Sequence, residues 1–388
     1  MTTETVLTNA RVVLRDRVVD GTVVLTDGVI AAVDDGPSRA VGALDLEGDL
    51  LIPGLVELHT DNLERHFMPR PGVVWPARTA AAMAHDAQII GAGITTVFDA
   101  LCVGDYHAGG LRREIFDGAV HAVCEGADAR LFRAEHLLHM RCEVSDPTML
   151  DMLEPWIGHP RVRFVSVMDH TPGQRQWTRI EKFREYNTER GWSDAEVATV
   201  IAERKQIQEQ WSGPNRASVI ELVRPHGLPI ASHDDTTVQH IEQAVADGLA
   251  VAEFPTTLDA AKAAHAAGMG TLMGAPNVVR SGSHSGNVSA RDLAEAGVLD
   301  GLSSDYVPAS LLHAALVLAE GGTSGVDLPL PDAIALVTAT PAGLAGLTDR
   351  GTIAPGQRAD LVQTRVVASN GDQVPQIRQV WRDGTRVF

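Results

Sequence analysis

Residues 51–66, LIPGLVELHTDNLERH, run apolar and then break into a cluster of histidines and acids. His59 and Asp61 stand two residues apart. On a strand, where side chains alternate, that spacing puts both on one side and lets them hold a single cation. A strand-end histidine with a turn-forming aspartate would give the same letters, so the pair needs company. Apolar runs elsewhere supply it, ending near Glu143, His170, His233, Glu253 and Asp305. Acids and histidines at so many strand ends are hard to explain as packing, because charged side chains are rarely buried unpaired. Imidazole and carboxylate together suit a hard or borderline divalent cation.

Each position has a competing use. His170, behind Asp169 and before Thr-Pro-Gly, fits a helix cap as well as a ligand. Glu143 shares a strand face with His139 and Arg141, so a buried ion pair with Arg141 competes with metal ligation. Glu253 is the weakest candidate and is expected to pair with an arginine. His136, His139 and His240 read as core or supporting histidines. Asp305 follows Ser303 and Ser304 at the end of an apolar run, where a carboxylate makes sense as a ligand or as a base on bound water.

A second constellation is basic. GAPNVVRSGSHSGNVS packs small residues around Arg280 and His284. Arg65, His66 and Arg70 follow the His59–Asp61 pair, and Arg175 and Arg179 open the segment after His170. The chain as a whole carries a formal charge of −18. Basic residues concentrated beside a cation in so acidic a chain point to a polyanionic substrate, with arginine preferred for two-pronged phosphate recognition. The same net charge argues against nucleic acid or an anionic membrane as partner, since both demand a basic surface.

These residues must be positioned by a scaffold. Apolar runs ending in polar residues recur eight times between residues 51 and 310, with helix-like segments between them. Strands alternating with helices pair in parallel, and eight such units close into an α/β (β/α)8 barrel with its site at the strand ends. The segments before and after are β-like, with Asp-Gly turns expected at 20–21, 27–28 and 383–384. The expected organisation is a composite β-sandwich from residues 1–54 and 349–388 around a barrel at 55–348. An insertion at 171–215 is longer than a crossover helix requires and is a candidate lid. Cys102, Cys124 and Cys142 show no paired spacing, and no stretch reaches the ~20 apolar residues of a membrane span or resembles a signal sequence. A cytoplasmic protein, forming a homo-oligomer, is the expectation.

LIPGLVELHTDNLERHFMPRPGVVWP, RAEHLLHMRCE, VSVMDHTPGQRQW, ASHDD, AEFPTT, MGAPNVVRSGSHSGNVS and LSSDYVPASLL resemble the α-D-ribose 1-methylphosphonate 5-triphosphate diphosphatases of the carbon–phosphorus lyase pathway, a branch of the amidohydrolase superfamily. The likeness runs along nearly the whole chain. It implies a barrel with a composite sandwich, one or two divalent ions with zinc the first expectation, and hydrolysis of a small-molecule ribose triphosphate phosphonate to its 5-phosphate with release of pyrophosphate. Carried over by position, the superfamily's metal pair falls on His59 and Asp61, its strand-five histidine on His233 and its strand-eight aspartate on Asp305. Asp305 would also accept a proton from the attacking water, beside His233, and Arg65, Arg70, Arg175, Arg280 and His284 would hold the phosphates. The chain departs from the superfamily in having His-x-Asp for His-x-His, no lysine after strand four, and Glu253 where strand six usually ends in histidine. Glu143 is then the candidate bridging carboxylate, with His170 as the alternative. An amide or imide hydrolase of the same superfamily is the competing activity, for which one arginine would suffice. A barrel without metal serving as a scaffold would have lost its ligand residues, and these are intact.

Overall fold

The computed structural model describes residues 4–70, 72–104, 111–177, 180–181, 183–184, 192–282, 287–319, 325–369 and 372–388. Eight parallel strands, Leu55–Thr60, Ile94–Val103, Glu135–Glu143, Val162–Met168, Ile230–His233, Val251–Glu253, Gly270–Gly274 and Gly301–Ser303, follow one another in chain order. The ring closes where Thr60 bridges Asp305. Asp61 N donates to Asp305 O, and Asp305 N donates to His59 O, each at 3.0 Å. The first two strands are buried at every position, as strands covered on both faces must be.

An apolar layer of Val56, Phe98, Leu137, Phe164, Ala231, Val251 and Leu272 fills one level of the barrel. Two residues further along their strands, Leu137, Ala231 and Val251 give way to His139, His233 and Glu253. Strand periodicity thus stacks a polar layer directly on an apolar plug.

The terminal segments form one continuous eight-stranded sheet. Leu50–Pro53 pairs antiparallel with Leu361–Thr364, which joins the start of the chain to its end. Asp27-Gly28 and Asp383-Gly384 are turns with both residues at positive φ, as two-residue hairpins need. Asp20-Gly21 is not a turn, contrary to expectation: both lie inside the strand Val18–Thr26. A Cβ on Gly21 would sit 2.6 Å from Asp34 O, so this glycine answers a close strand approach.

Between strands four and five, Arg175–Trp177 forms a short 3-10 turn and Asp194–Val223 a long helix that continues through Pro214 into the crossover. Ser193 caps it in a reciprocal box with Glu196. Asp169, just past strand four, accepts from Gln208 Nε2 at 3.2 Å and Ser212 Oγ at 2.8 Å, tying the helix to the barrel mouth. Among the described residues no helix is long and apolar enough to cross a membrane.

A buried polar chain lies under the second helix, Arg78–Gly91. Asp99 accepts from His85 Nε2 at 2.7 Å and His136 Nδ1 at 2.8 Å. The other ring nitrogens meet Asn62 at 3.0 Å and Asp86 at 3.4 Å. All four nitrogens are engaged, so the cluster is closed on itself. Burial opposes charge on His136, but Asp99 and Asp86 push the ring up to about 9. A histidine raised in the folded state contributes stability that is full below its unfolded pKa of ~6.5 and lost as pH rises through about 9, worth about 3 kcal/mol. Urea midpoints should therefore fall between pH 6.5 and 9, and His136→Gln should flatten that slope while lowering stability overall. An unchanged slope in the variant would remove His136 as its source.

Candidate active site

Histidines and acids from strands one, three, four, five, six and eight meet at the carboxyl end of the barrel. His59 Nδ1 donates to Glu253 Oε1 at 2.6 Å, both side chains fully buried. His233 Nδ1 donates to Asp234 Oδ2 at 2.8 Å. The rings of His59 and His233 are 5.7 Å apart, and those of His233 and His170 5.6 Å. In each of His59 and His233 Nδ1 is the nitrogen bonded to the carboxylate, so Nε2 is the one turned to a ligand, the usual way an outer carboxylate orients a histidine. Burial above all, then Arg141, drives the His59 pKa well below its ordinary value, so the ring is neutral.

His139 plays a different part. Its Nδ1 donates to Leu58 O and its Nε2 accepts from Ser166 Oγ, each at 2.9 Å. With both nitrogens committed, it packs edge-on against His59 and braces it. His170 is also held at both ends, by Glu143 Oε2 at 2.7 Å and Asp234 Oδ2 at 3.5 Å. Burial works against its charge, yet Glu143 and Asp234 push it up to about 9.

Asp61 and Asp305 come from strands one and eight, pinned by the backbone bonds that close the barrel. Burial, then the charge on Asp61, raises Asp305, and burial likewise raises Asp61 against the pull of Arg141 and Arg65. Two buried carboxylates so placed are relieved by a cation between them or by a shared proton. The donor set fits a cation. Asp61 Oδ1, His233 Nε2 and Glu253 Oε2 are all buried without a hydrogen-bond partner. The last two lie 3.8 Å apart, close to what ligands about 2.1 Å from a shared ion span.

The strand ends are strained where they carry these groups. Asp234, Phe254 and Asp305 have φ of 57°, 54° and 53°. Each turns its N–H onto the neighbouring strand, to Glu253 O, Leu272 O and His59 O. Left-handed non-glycine residues cost roughly 1 kcal/mol or more and collect at functional sites.

The expected phosphate-binding residues are placed unequally. Arg65, on the short helix Asn62–Phe67, is exposed and lies with Cζ 5.4 Å from the Tyr306 ring centroid. Arg280 is exposed and donates to the Tyr306 hydroxyl at 3.4 Å. Arg70 is exposed at the surface, in a backbone bridge to Val73. Arg175 is buried and donates to His233 O at 2.9 Å and Asp235 Oδ1 at 2.7 Å, which makes it a brace of strand five. His284 lies outside the described residues. Glu253 bonds His59, where an arginine partner was expected, because strand six delivers it into the histidine layer.

Sequence reasoning missed Glu57, Asp234 and Tyr306. Glu57 is fully buried and accepts from His59 N at 2.7 Å and Ser304 N at 2.5 Å, linking strands one and eight. Burial pushes its carboxyl up to about 8. Its signal was present, an acid inside an otherwise apolar strand.

An eight-stranded barrel with buried imidazoles and orphaned carboxylate oxygens at its carboxyl end is a scaffold on which hydrolases activate water. The sequence profile of the amidohydrolase family matches residues 190–388. The chain is 45% identical over 384 residues to alpha-D-ribose 1-methylphosphonate 5-triphosphate diphosphatase of Escherichia coli (strain K12), covering 99% of this chain and 100% of that one. It belongs to the amidohydrolase family, and within it to the family of that diphosphatase. Solved structures share the fold at low identity. The 5-methylcytosine deaminase from Klebsiella pneumoniae has TM-score 0.62 at 16% identity, covering 99% of this chain and 98% of its own. N-acetylglucosamine-6-phosphate deacetylase from Pasteurella multocida has TM-score 0.60 at 12% identity, covering 98% and 99%.

Proposed function

We propose that this enzyme hydrolyses α-D-ribose 1-methylphosphonate 5-triphosphate to the 5-phosphate and pyrophosphate, with zinc held by His59, Asp61, His233 and Asp305. The observation that carries the reading is full-length kinship to a diphosphatase at 45% identity, in a chain whose buried donors await a cation. A divalent cation supplies, when bound, a water pKa lowered toward ~7 and neutralised phosphoryl charge. Asp305, raised by burial, is suited to take the proton of the attacking water. Glu253 and Asp234 hold the His59 and His233 rings in the tautomers that present Nε2. Arg65 and Arg280 meet the phosphates at the mouth, while Glu143 and His170 form a charged pair beside His233. Attack falls on the α-phosphorus, so pyrophosphate leaves as one unit. Three buried free cysteines and a diffusible substrate suit action in the cytosol.

The test is product identity. Zinc-loaded enzyme should release pyrophosphate from the ribosyl triphosphate and no orthophosphate. Arg280→Ala should raise KM by ~10- to 150-fold, the value of a lost charge-assisted contact. Orthophosphate as the sole product would move attack to the γ-phosphorus and overturn the reading. Turnover of dihydroorotate-like or hydantoin-like rings without pyrophosphate release would instead support an amide hydrolase.

A further inference from the structure

Two guanidinium groups at the mouth make no direct ion pair among the described residues, although the charge of Arg65 is felt at Asp61. Many arginines described in this acidic chain are ion-paired, among them Arg15, Arg78, Arg161, Arg216, Arg350 and Arg358. Arg65 and Arg280 have no ion pair among the described residues and share one neutral partner, Tyr306. Arg65 lies over the ring and reaches Tyr306 O at 3.5 Å, while Arg280 donates to the hydroxyl at 3.4 Å. The two arginines come from the ends of strands one and seven, and Tyr306 from strand eight between them. Tyr306 is itself fixed, because Asp305 before it is bonded through N and O to strand one, and Thr60 Oγ1 adds a bond to Asp305 O at 2.8 Å.

We propose that Tyr306 is a positioning residue that holds Arg65 and Arg280 side by side as a fork for the outer phosphates of the substrate's triphosphate. The proposal rests on the phosphoanhydride reading above. A carboxylate in the same place would gather the two cations equally well and quench them. An aromatic ring with one hydroxyl orients them through its quadrupole and an oxygen lone pair, and leaves their charge for an anion. Like charges held together without a counterion are costly unless a ligand completes them, and two forked donors match a phosphate's geometry.

The experiment uses zinc-loaded enzyme with Tyr306→Phe and Tyr306→Leu. Phenylalanine keeps the ring under Arg65 and frees Arg280, whereas leucine also removes the ring and leaves Arg65 only its bond to the backbone carbonyl of residue 306. Inhibition by inorganic tripolyphosphate is measured beside KM and kcat, with zinc content as a control. The expected result is a graded rise in both the tripolyphosphate inhibition constant and KM, ~3- to 10-fold for phenylalanine and ~10- to 100-fold for leucine, with kcat within ~3-fold of wild type. Inhibition by tripolyphosphate unchanged in the leucine variant would overturn the proposal. So would a fall in kcat and zinc content at constant KM, which marks a merely structural role. Should wild-type enzyme bind tripolyphosphate in this Tyr306-dependent way yet release no pyrophosphate, the reaction assignment fails and the fork stands.

Discussion

Asp305→Asn is expected to lower kcat by ~10³-fold or more, since under the proposed assignment it removes a cation ligand and a proton acceptor in one step. The fold should survive. Asparagine is nearly isosteric and tolerates the left-handed φ of 53° at this position. The bonds that close the barrel use the backbone of residue 305, not its side chain. A neutral amide also relieves the repulsion from Asp61, so the metal-free variant should melt at the same temperature as wild type or higher. Activity assays, zinc content and calorimetry together check this. Near wild-type turnover and zinc content would exclude Asp305 from the site.

Glu253→Ala should damage stability as well as chemistry. The carboxylate is fully buried, with one oxygen on His59 and the other facing His233. Removing the carboxylate leaves the neutral His59 Nδ1–H buried without an acceptor, a loss of ~1–3 kcal/mol. Under the proposed ligand set, loss of the acceptor that orients the His59 ring weakens metal binding by ~10- to 100-fold. Urea unfolding and competitive zinc titration would show both losses, and Glu253→Gln, which can still accept from His59 Nδ1, should recover part of each. An alanine variant as stable as wild type would mean that the His59–Glu253 bond contributes little.

Much of this was legible in the sequence because the barrel writes itself twice. Apolar runs locate the strands, and the polar residue two steps beyond the plug marks the mouth, as with Ala231 and His233 or Val251 and Glu253. What the letters did not hold was partnership. Glu253 carries the same charge whether it meets an arginine or a histidine, and only the angular position of strand six decides. Arg175 reads as a mouth cation, but the turn after strand four folds it inward onto Asp235. Asp20-Gly21 has the letters of a hairpin, and pairing on both sides overrides them. Tyr306 gave no signal at all, since one aromatic residue beside an aspartate has no periodicity to betray its use.

The antiparallel seam between Leu50–Pro53 and Leu361–Thr364 has a bearing on how the chain is made. A nascent protein emerges at ~5–20 residues per second, so roughly 300 residues between the two halves of the seam amount to ~15–60 s of synthesis. Throughout that time the strand Leu50–Pro53, apolar and buried at each position in the finished molecule, presents an unmatched edge to the crowded ribosome exit. The early meander can form from its own hairpins, but it waits for the last segment of the message to be covered. A chain that stops short of residue 361 would leave that edge permanently open, and its fate would be chaperone capture or aggregation.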